Sequence, residues 1–575
     1  MKSDRAIVRA AVRNDVSQPL TVLGKRLSDA DDSHGEGTQA QRKDEASTPT
    51  SEPLPPAARA VEQRSQGTGP AANLVESFDG LGSGFVGPQG AANVRNPSDN
   101  TLAVGPDHIV QIVNARMAVF TKKRKRFHKT GQVLYGPVVT NAVFGGFGGQ
   151  CEARNNGDAV VRYDQLAGRW LIVMPTFARG PVRPDQPAPG VDGQPAQISP
   201  PGRPGQPGAA AQLLPPAQPN PTQPSRPAPA TAGQGPYSMC YAVSVTSDPL
   251  GRYYRYEFLR ALFPDYPRPA VWPDGYYVPT STSDDFIQKH ACVVERNKML
   301  RGLAATEQCF VIDGVNFLNN ADIDGRGVPP PGAPNIMMAA GGAQLKKIVG
   351  DDCVFAWKFH VDWNNPANTK ISGPLRIAVA PYQYLCGGQL TNCVPQPGSE
   401  RRLDAQGDKI MARLVYRKVN GHESVVAVHS VNTAAGGGGV RWYEFRLDKN
   451  RDPLLYQQGT YAPDGFYRWM ASPAIDRKGN IGIGYSFGGT PHFAGQRFAA
   501  RRAHDPLGQL TLQETILVEG EAAQNAMRWE DYTQTAMDPT DDCTIWYVGD
   551  YLKKNQTNYS SRIGAFQIPG CVGSR

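Results

Sequence analysis

The chain of 575 residues contains no run of the roughly 20 apolar residues that a membrane-crossing helix requires. From Met1 to about Pro70 it is polar, charged and rich in Ser, Gln, Ala and Pro, and the apolar centre of a secretory leader is missing there. Charged residues make up only 19 % and the net charge is +8, which favours anionic partners weakly. No Cys-x-x-Cys pair and no Cys/His cluster has zinc-ligand spacing, so the usual structural zinc motifs are excluded. The Ser-x-Asp-x-Gly-x-x-Trp box of sialidase-type chemistry is absent, as is any recognisable nucleophile or oxyanion motif. Helical stretches are few.

What the chain does have is turn residues, 61 Gly and 50 Pro, and a degenerate repeat. Five segments share a polar or aromatic opening residue, a short apolar strand, a turn and a second strand; they begin at Asp99, Asp158, Asp274, Trp469 and Asp531. Hairpins recurring over several hundred residues are the mark of a radially repeated all-β fold. The reading is a single β-propeller at about 40 to 50 residues per blade, with seven blades, or six if Asn335–Ala380 belongs to a neighbouring blade. Strands from both chain ends would complete the terminal blade, since closure removes exposed edges. Residues 1–74 read as a disordered N-terminal tail, too polar to offset ordering entropy. Residues 75–575 read as the propeller, interrupted by a Pro/Gln/Ala/Gly-rich loop insertion at 180–235 that splits one blade between Trp170 and Tyr241.

Nine cysteines without metal spacing read as disulfides, and disulfides imply an oxidising compartment. The expected pairs are Cys386 with Cys393, Cys292 with Cys309, Cys543 with Cys571 and Cys151 with Cys240, leaving Cys353 over. The expected location is extracellular or cell-envelope, although no signal peptide is visible.

The segments from Asp158 to Trp170, Val271-Trp-Pro-Asp-Gly-Tyr-Tyr, Lys358-Phe-His-Val-Asp-Trp, and Arg528-Trp-Glu-Asp-Tyr through Tyr547 resemble a family of large, mostly secreted bacterial β-propeller-like proteins. The similarity spans roughly residues 75 to 570 and implies fold and export. That family has no established activity, so no catalytic residue carries over. The chain departs from the family in lacking a signal peptide and in placing Glu530 where glycine is expected before Asp531.

In a propeller the residues that open the innermost strands converge at one end of the central channel. Asp99, Asp158, Asp274, Trp469 and Asp531 take that position, with Asn100, Asn156, Arg468, Arg528 and Glu530 beside them. Carboxylates, arginines and aromatic walls in one funnel suit a glycan, with arginine holding an acidic sugar and carboxylates available for hydrolysis or lyase chemistry. The same aspartates read equally as blade caps that accept backbone N–H bonds, or as calcium ligands. His360 with Asp362, and His422 with Glu423 and His429, have spacings that a metal or an acid/base pair could use. The run Lys122–Lys129 offers a polyanion patch at a hairpin turn. The functional expectation is an exported propeller that binds, and could cleave, an extracellular glycan; the alternative is a non-enzymatic adhesion or interaction scaffold.

Overall fold

Short β-branched and aromatic runs bounded by Gly, Asp, Asn and Pro form strands wherever both their faces can be covered, and the inner strands of the described sheets meet that condition, whereas edge strands such as Arg13–Val16 and Lys370–Ala378 stay largely exposed. The computed structural model describes residues 5–23, 53–178, 234–281, 288–315, 317–341, 352–388 and 392–572. The fold is all-β. Antiparallel meanders follow one another along the chain. The first comprises Thr101–Val104, His108–Val113, Arg116–Thr121 and Val133–Val139. The second comprises Val160–Asp164, Arg169–Ala178, Gln234–Ser244 and Tyr253–Arg260. The third comprises Ala270–Trp272, Gly275–Tyr277, Gln288–Val294 and Thr306–Asp313.

A nine-stranded sheet follows, built from two meanders and one edge strand. Asn319–Ile323, Asn335–Ala340, Cys353–His360 and Lys370–Ala378 form the fourth meander. Leu414–Val419, His422–Asn432, Gly438–Leu447 and Pro453–Tyr461 form the fifth. Their first strands pair in parallel, Ala321 opposite Leu414 and Ile323 opposite Tyr416. The sixth meander is Tyr467–Ile475, Ile481–Gly489, His492–Arg501 and Thr515–Val518. The last sheet joins Gln534–Met537, Thr544–Tyr551 and Ser560–Gln567 to Asn73–Asp79 from near the other chain end.

First strands contact one another in sequence, and Gln534–Met537 returns against Thr101–Val104. The core lies between sheets. One face of the first meander, with Ala103, Val110 and Val119, packs on Val161, Ile172 and Met174 of the second. Its other face, with Leu102, Ile109 and Phe120, packs on Trp546, Val548 and Ile563 of the last sheet. Strands therefore bury residues of both parities, which is why their apolar runs are near-continuous rather than alternating.

The expectation of an unstructured tail does not describe residues 5–23 and 53–74. Ile7–Ala10 pairs with Thr306–Asp313, Arg13–Val16 with Tyr253–Arg260, and Glu62–Gln63 in parallel with Pro453–Tyr461. These are edge strands held by backbone hydrogen bonds and by single anchors such as Asp15 on Arg255, at 2.8 and 2.7 Å. Such contacts leave no hydrophobic periodicity for composition to register. Of the insertion read at 180–235, residues 180–233 lie outside the described residues; its flanks, Ala178 and Gln234, pair directly.

All four expected disulfides are present: Cys151–Cys240, Cys292–Cys309, Cys386–Cys393 and Cys543–Cys571. Cys353 is buried and outside them. Cys151 lies in the short helix Gly149–Ala153, so its bridge ties the connection between the first two meanders to the strand Gln234–Ser244. Replacing Cys151 and Cys240 together by Ser should cost about 2–4 kcal/mol of stability, read as an earlier thermal midpoint. Equal midpoints for the variant and the oxidised parent would refute this.

Candidate ligand-binding site at the channel mouth

Asp99, Asp158 and Asp531 each precede a first strand, and all three have positive φ, at 46°, 53° and 63°. That left-handed backbone disfavours most side chains but tolerates Asp and Asn, so the recurrence of Asp has a conformational cause. Each carboxylate is also engaged. Asp99 accepts from Asn114 Nδ2 at 2.7 Å, while its N–H donates to the carbonyl of Glu530 at 2.8 Å. Asp158 accepts from the Tyr532 hydroxyl at 3.3 Å. Asp531 accepts from Gln406 Nε2 at 2.6 Å and pairs with Arg528, whose Nε reaches Asp404 at 3.0 Å. Burial pushes Asp404 up to about 7 against the opposing charge of Arg528. Burial, then the charges of Asp158 and Asp99, holds the Tyr532 hydroxyl protonated far above the usual phenol range.

Beside these carboxylates stands a cationic group that the sequence reading missed. Arg268 opens the third meander and is 2 % exposed. Its donors go to the carbonyls of Leu318 and Tyr266 at 2.6 Å and to Ser281 Oγ at 3.3 Å, and it makes no ion pair among the described residues. Burial lowers its pKa to about 10. Its guanidinium lies 4.4 Å from the centre of the Tyr266 ring and 5.6 Å from that of Phe317. Lys409 Nζ stands 4.1 Å from the same Phe317 ring, and Lys289 Nζ 5.4 Å. Three cations thus converge on one half-buried aromatic ring. Tyr266 packs against Tyr532 with ring centres 4.8 Å apart and planes tilted by 41°, and Lys409 bonds Gln406, which joins this group to Asp531. No motif announces it, because its members come from four distant segments. The one usable signal was Arg268 itself, two residues before the strand Ala270–Trp272.

Other expected site residues stand elsewhere. Asp274 lies in the turn after Ala270–Trp272, at the far end of that strand, where it accepts from the Tyr277 hydroxyl at 3.2 Å. The Asp-Gly pair marks a turn there, not a strand opening. Burial raises its carboxyl to about 6. Arg468 is locked between Asp464 at 2.8 Å and Glu514 at 2.8 Å. Trp469 is fully buried against Trp529, with ring centres 6.2 Å apart. Asn100 bridges Asp550 at 2.9 Å and Gln111 at 3.0 Å, and Asn156 accepts the N–H of Phe177 at 3.1 Å. Glu530 is wholly buried and bonded to Ser486, Gln496 and the N–H of Asp550. Each of these side chains is engaged within the protein.

The metal readings find no ligand set. Among the described residues one cluster of three candidate ligands occurs, Cys292, Glu307 and Cys309, and its two sulfurs are joined as a disulfide. The aspartates of the mouth form no such cluster among the described residues. His429 is buried on Tyr443, with Nε2 2.9 Å from the hydroxyl, and burial lowers its pKa to about 3. Asp362 serves a turn, accepting the N–H groups of Asn364 and Asn365 at 2.9 Å. In the basic run, Lys122 is buried on Asp538 at 2.6 Å and Arg126 pairs with Asp248 at 2.9 Å, so part of the charge is already neutralised.

A cavity of about 20 Å³ lies among the first strands, lined by Arg162, Asp322, Asp324 and Arg413 among others. Arg413 Nε bonds Asp322 at 2.8 Å and its Nη2 bonds Asp324, while Arg162 Nε stands 3.4 Å from Asp322. These four side chains form a buried charged plug among the first strands.

No protein-family model matches the chain, and no curated protein matches it. Among solved structures it is similar to a protein of unknown function from Dyadobacter fermentans, with TM-score 0.34 and 8 % identity over 87 % of this chain and 100 % of that one. It is also similar to NanB with optactamide, with TM-score 0.34 and 7 % identity over 74 % of this chain and 68 % of that one. A third is a polysaccharide lyase described as ulvan lyase, with TM-score 0.25 and 10 % identity over 84 % of this chain and 82 % of that one. Likenesses at these scores carry no argument, so a functional reading rests on the mouth itself.

Proposed function

We propose that the chain is an exported seven-bladed β-propeller that binds an acidic glycan at the mouth of its axis. The carrying observation is the convergence of Arg268, Lys289 and Lys409 on Phe317, with Arg268 buried and in no ion pair within 4.0 Å among the described residues. A buried guanidinium served only by neutral oxygens gains most from an entering carboxylate or sulfate, which it can grip with two parallel hydrogen bonds. Half-buried Phe317 supplies an apolar face for a pyranose ring, and partly exposed Arg528 and Asp531 supply polar edges. The aspartates are committed to hydrogen bonds within the protein, which supports binding without cleavage. Four disulfides are compatible with life outside the cell.

The test is titration of the full chain with polygalacturonate and with a neutral glucan. Arg268→Gln and Lys409→Met should each weaken polygalacturonate binding by about tenfold or more, the scale of one charge-assisted contact. Rising salt should weaken it further. Equal affinity for the neutral glucan, or full affinity in both folded variants, would overturn the proposal.

A further inference from the structure

At the end of the molecule opposite the mouth, the fifth and sixth meanders part around a cleft of about 290 Å³. Its fifth-meander wall carries Glu444, Arg446 and Gln457, and its sixth-meander wall carries Arg501, with His504 beyond. The Glu444 carboxylate is saturated within the protein: it accepts from Ser424 Oγ at 2.7 Å, Gln457 Nε2 at 2.5 Å and Arg446 Nε at 3.3 Å. Arg501, 1 % exposed, has no carboxylate within 4.0 Å among the described residues, although burial lowers its pKa against the charges of Glu444 and Asp505, which act on it. Its Nη1 donates to Gln457 Oε1 at 2.9 Å and the Pro506 carbonyl at 2.8 Å, and its Nη2 to the Asp505 carbonyl at 2.7 Å. Arg446 is partly open to the cleft and lies flat on the Tyr456 ring at 3.3 Å.

The cleft thus holds two guanidiniums against one carboxylate, in a space large enough for an organic molecule. A buried cation facing such a space is stabilised by an anion that enters it. We propose that this cleft is a second binding site, separate from the mouth, for a small hydroxylated carboxylate of about pyranose size. The carboxylate would meet Arg446 and Arg501, and the ring hydroxyls would meet Gln457 and the rim residues Asn420 and His504. At a share of about 30 Å³ per water the cleft holds on the order of ten waters, room for one sugar acid. A bare inorganic anion would leave most of that volume to water and most of the rim unengaged.

The experiment is calorimetric titration of the full chain with D-glucuronate, in a background carrying both Arg268→Gln and Lys409→Met so that any contribution of the mouth is weakened. Saturable binding is expected there, and Arg446→Met should weaken it by about tenfold or more. Tyr456→Ser, which frees the Arg446 side chain from its ring, should weaken it as well. Both positions are partly exposed, so melting temperatures serve as the folding check. Methyl glucoside should not compete, because it lacks the carboxylate, and inorganic phosphate should compete poorly. The proposal is overturned if glucuronate does not saturate, if folded Arg446→Met and Tyr456→Ser bind it as the parent does, or if phosphate displaces it on equal terms. Failure of the mouth reading would appear separately, as unchanged polygalacturonate binding by Arg268→Gln alone.

Discussion

Replacing Arg413 by Met should lower the free energy of unfolding by about 3–5 kcal/mol at neutral pH, the usual loss when one partner of a buried ion pair is removed. Arg413 is 5 % exposed and binds two buried carboxylates at once, Asp322 through Nε and Asp324 through Nη2. Its Nη1 also reaches the carbonyl of Thr535 at 3.3 Å. The carboxylates are themselves tied outward: Asp322 accepts the N–H of Val271 at 2.9 Å, and Asp324 that of Ile475 at 3.2 Å. One guanidinium therefore holds together the third, fourth, fifth and sixth meanders and the last sheet. Burial already raises the pKa of Asp324, and Arg413 is the main charge opposing that rise. With Arg413 gone, Asp324 should take up a proton at higher pH, so the loss measured by urea unfolding should shrink on acidification. Adding Asp324→Asn should recover part of the loss, since it removes the charge left unpaired. A loss below about 1 kcal/mol would mean that the plug is solvated and contributes as a surface pair does.

The strands were legible because both neighbours of each sheet are apolar. The segment from Asp158 to Trp170 reads as a hairpin, and Val160–Asp164 pairs with Arg169–Ala178 as that reading requires. The cysteine pairs were legible too: Cys292 and Cys309 fall directly opposite each other on adjacent strands. The N-terminal strands were not, since an edge strand owes its place to backbone bonds that any sequence can make. Asp99, Asp158 and Asp531 were legible as residues that precede first strands, because a left-handed residue there selects Asp. Arg268, Lys289, Phe317 and Lys409 were not, because nothing local to any of them records that the fold brings them to one ring. Asp274 was misplaced for a related reason: its Asp-Gly pair carries a turn signal as strong as that of a strand opening, and only the pairing of Val271 with Tyr276 separates the two.

Glu530 links that lesson to a second large effect. The family resemblance places glycine here, and the backbone agrees, with φ at +56°. The side chain is retained in this strained position by three hydrogen bonds, from Ser486 Oγ at 2.5 Å, Gln496 Nε2 at 2.9 Å and the Asp550 N–H at 2.6 Å. Burial first, then the charge of Asp550, raises the Glu530 carboxyl well above its usual range. Burial raises Asp550 to about 7, against the hydrogen bonds of Ser98 and Asn100. Both folded values exceed the unfolded ones, so the folded state binds more protons than the unfolded chain between about pH 4 and 7. The contribution of this pair to stability is therefore fully present below about pH 4 and is lost as pH rises through the folded values. Glu530→Gln removes one of the two titrations while keeping the shape. Its unfolding free energy should fall less steeply than the parent's over that interval, by up to about 1.4 kcal/mol per pH unit, and the variant should be at least as stable as the parent at pH 7.5. Glu530→Gly should relax the backbone, but it leaves Ser486, Gln496 and the Asp550 amide without their acceptor, at a cost of about 1–3 kcal/mol for a buried group so exposed. Parallel pH profiles for the parent and Glu530→Gln, from denaturant titrations at half-unit steps, would show that the two carboxyls do not titrate as a buried pair.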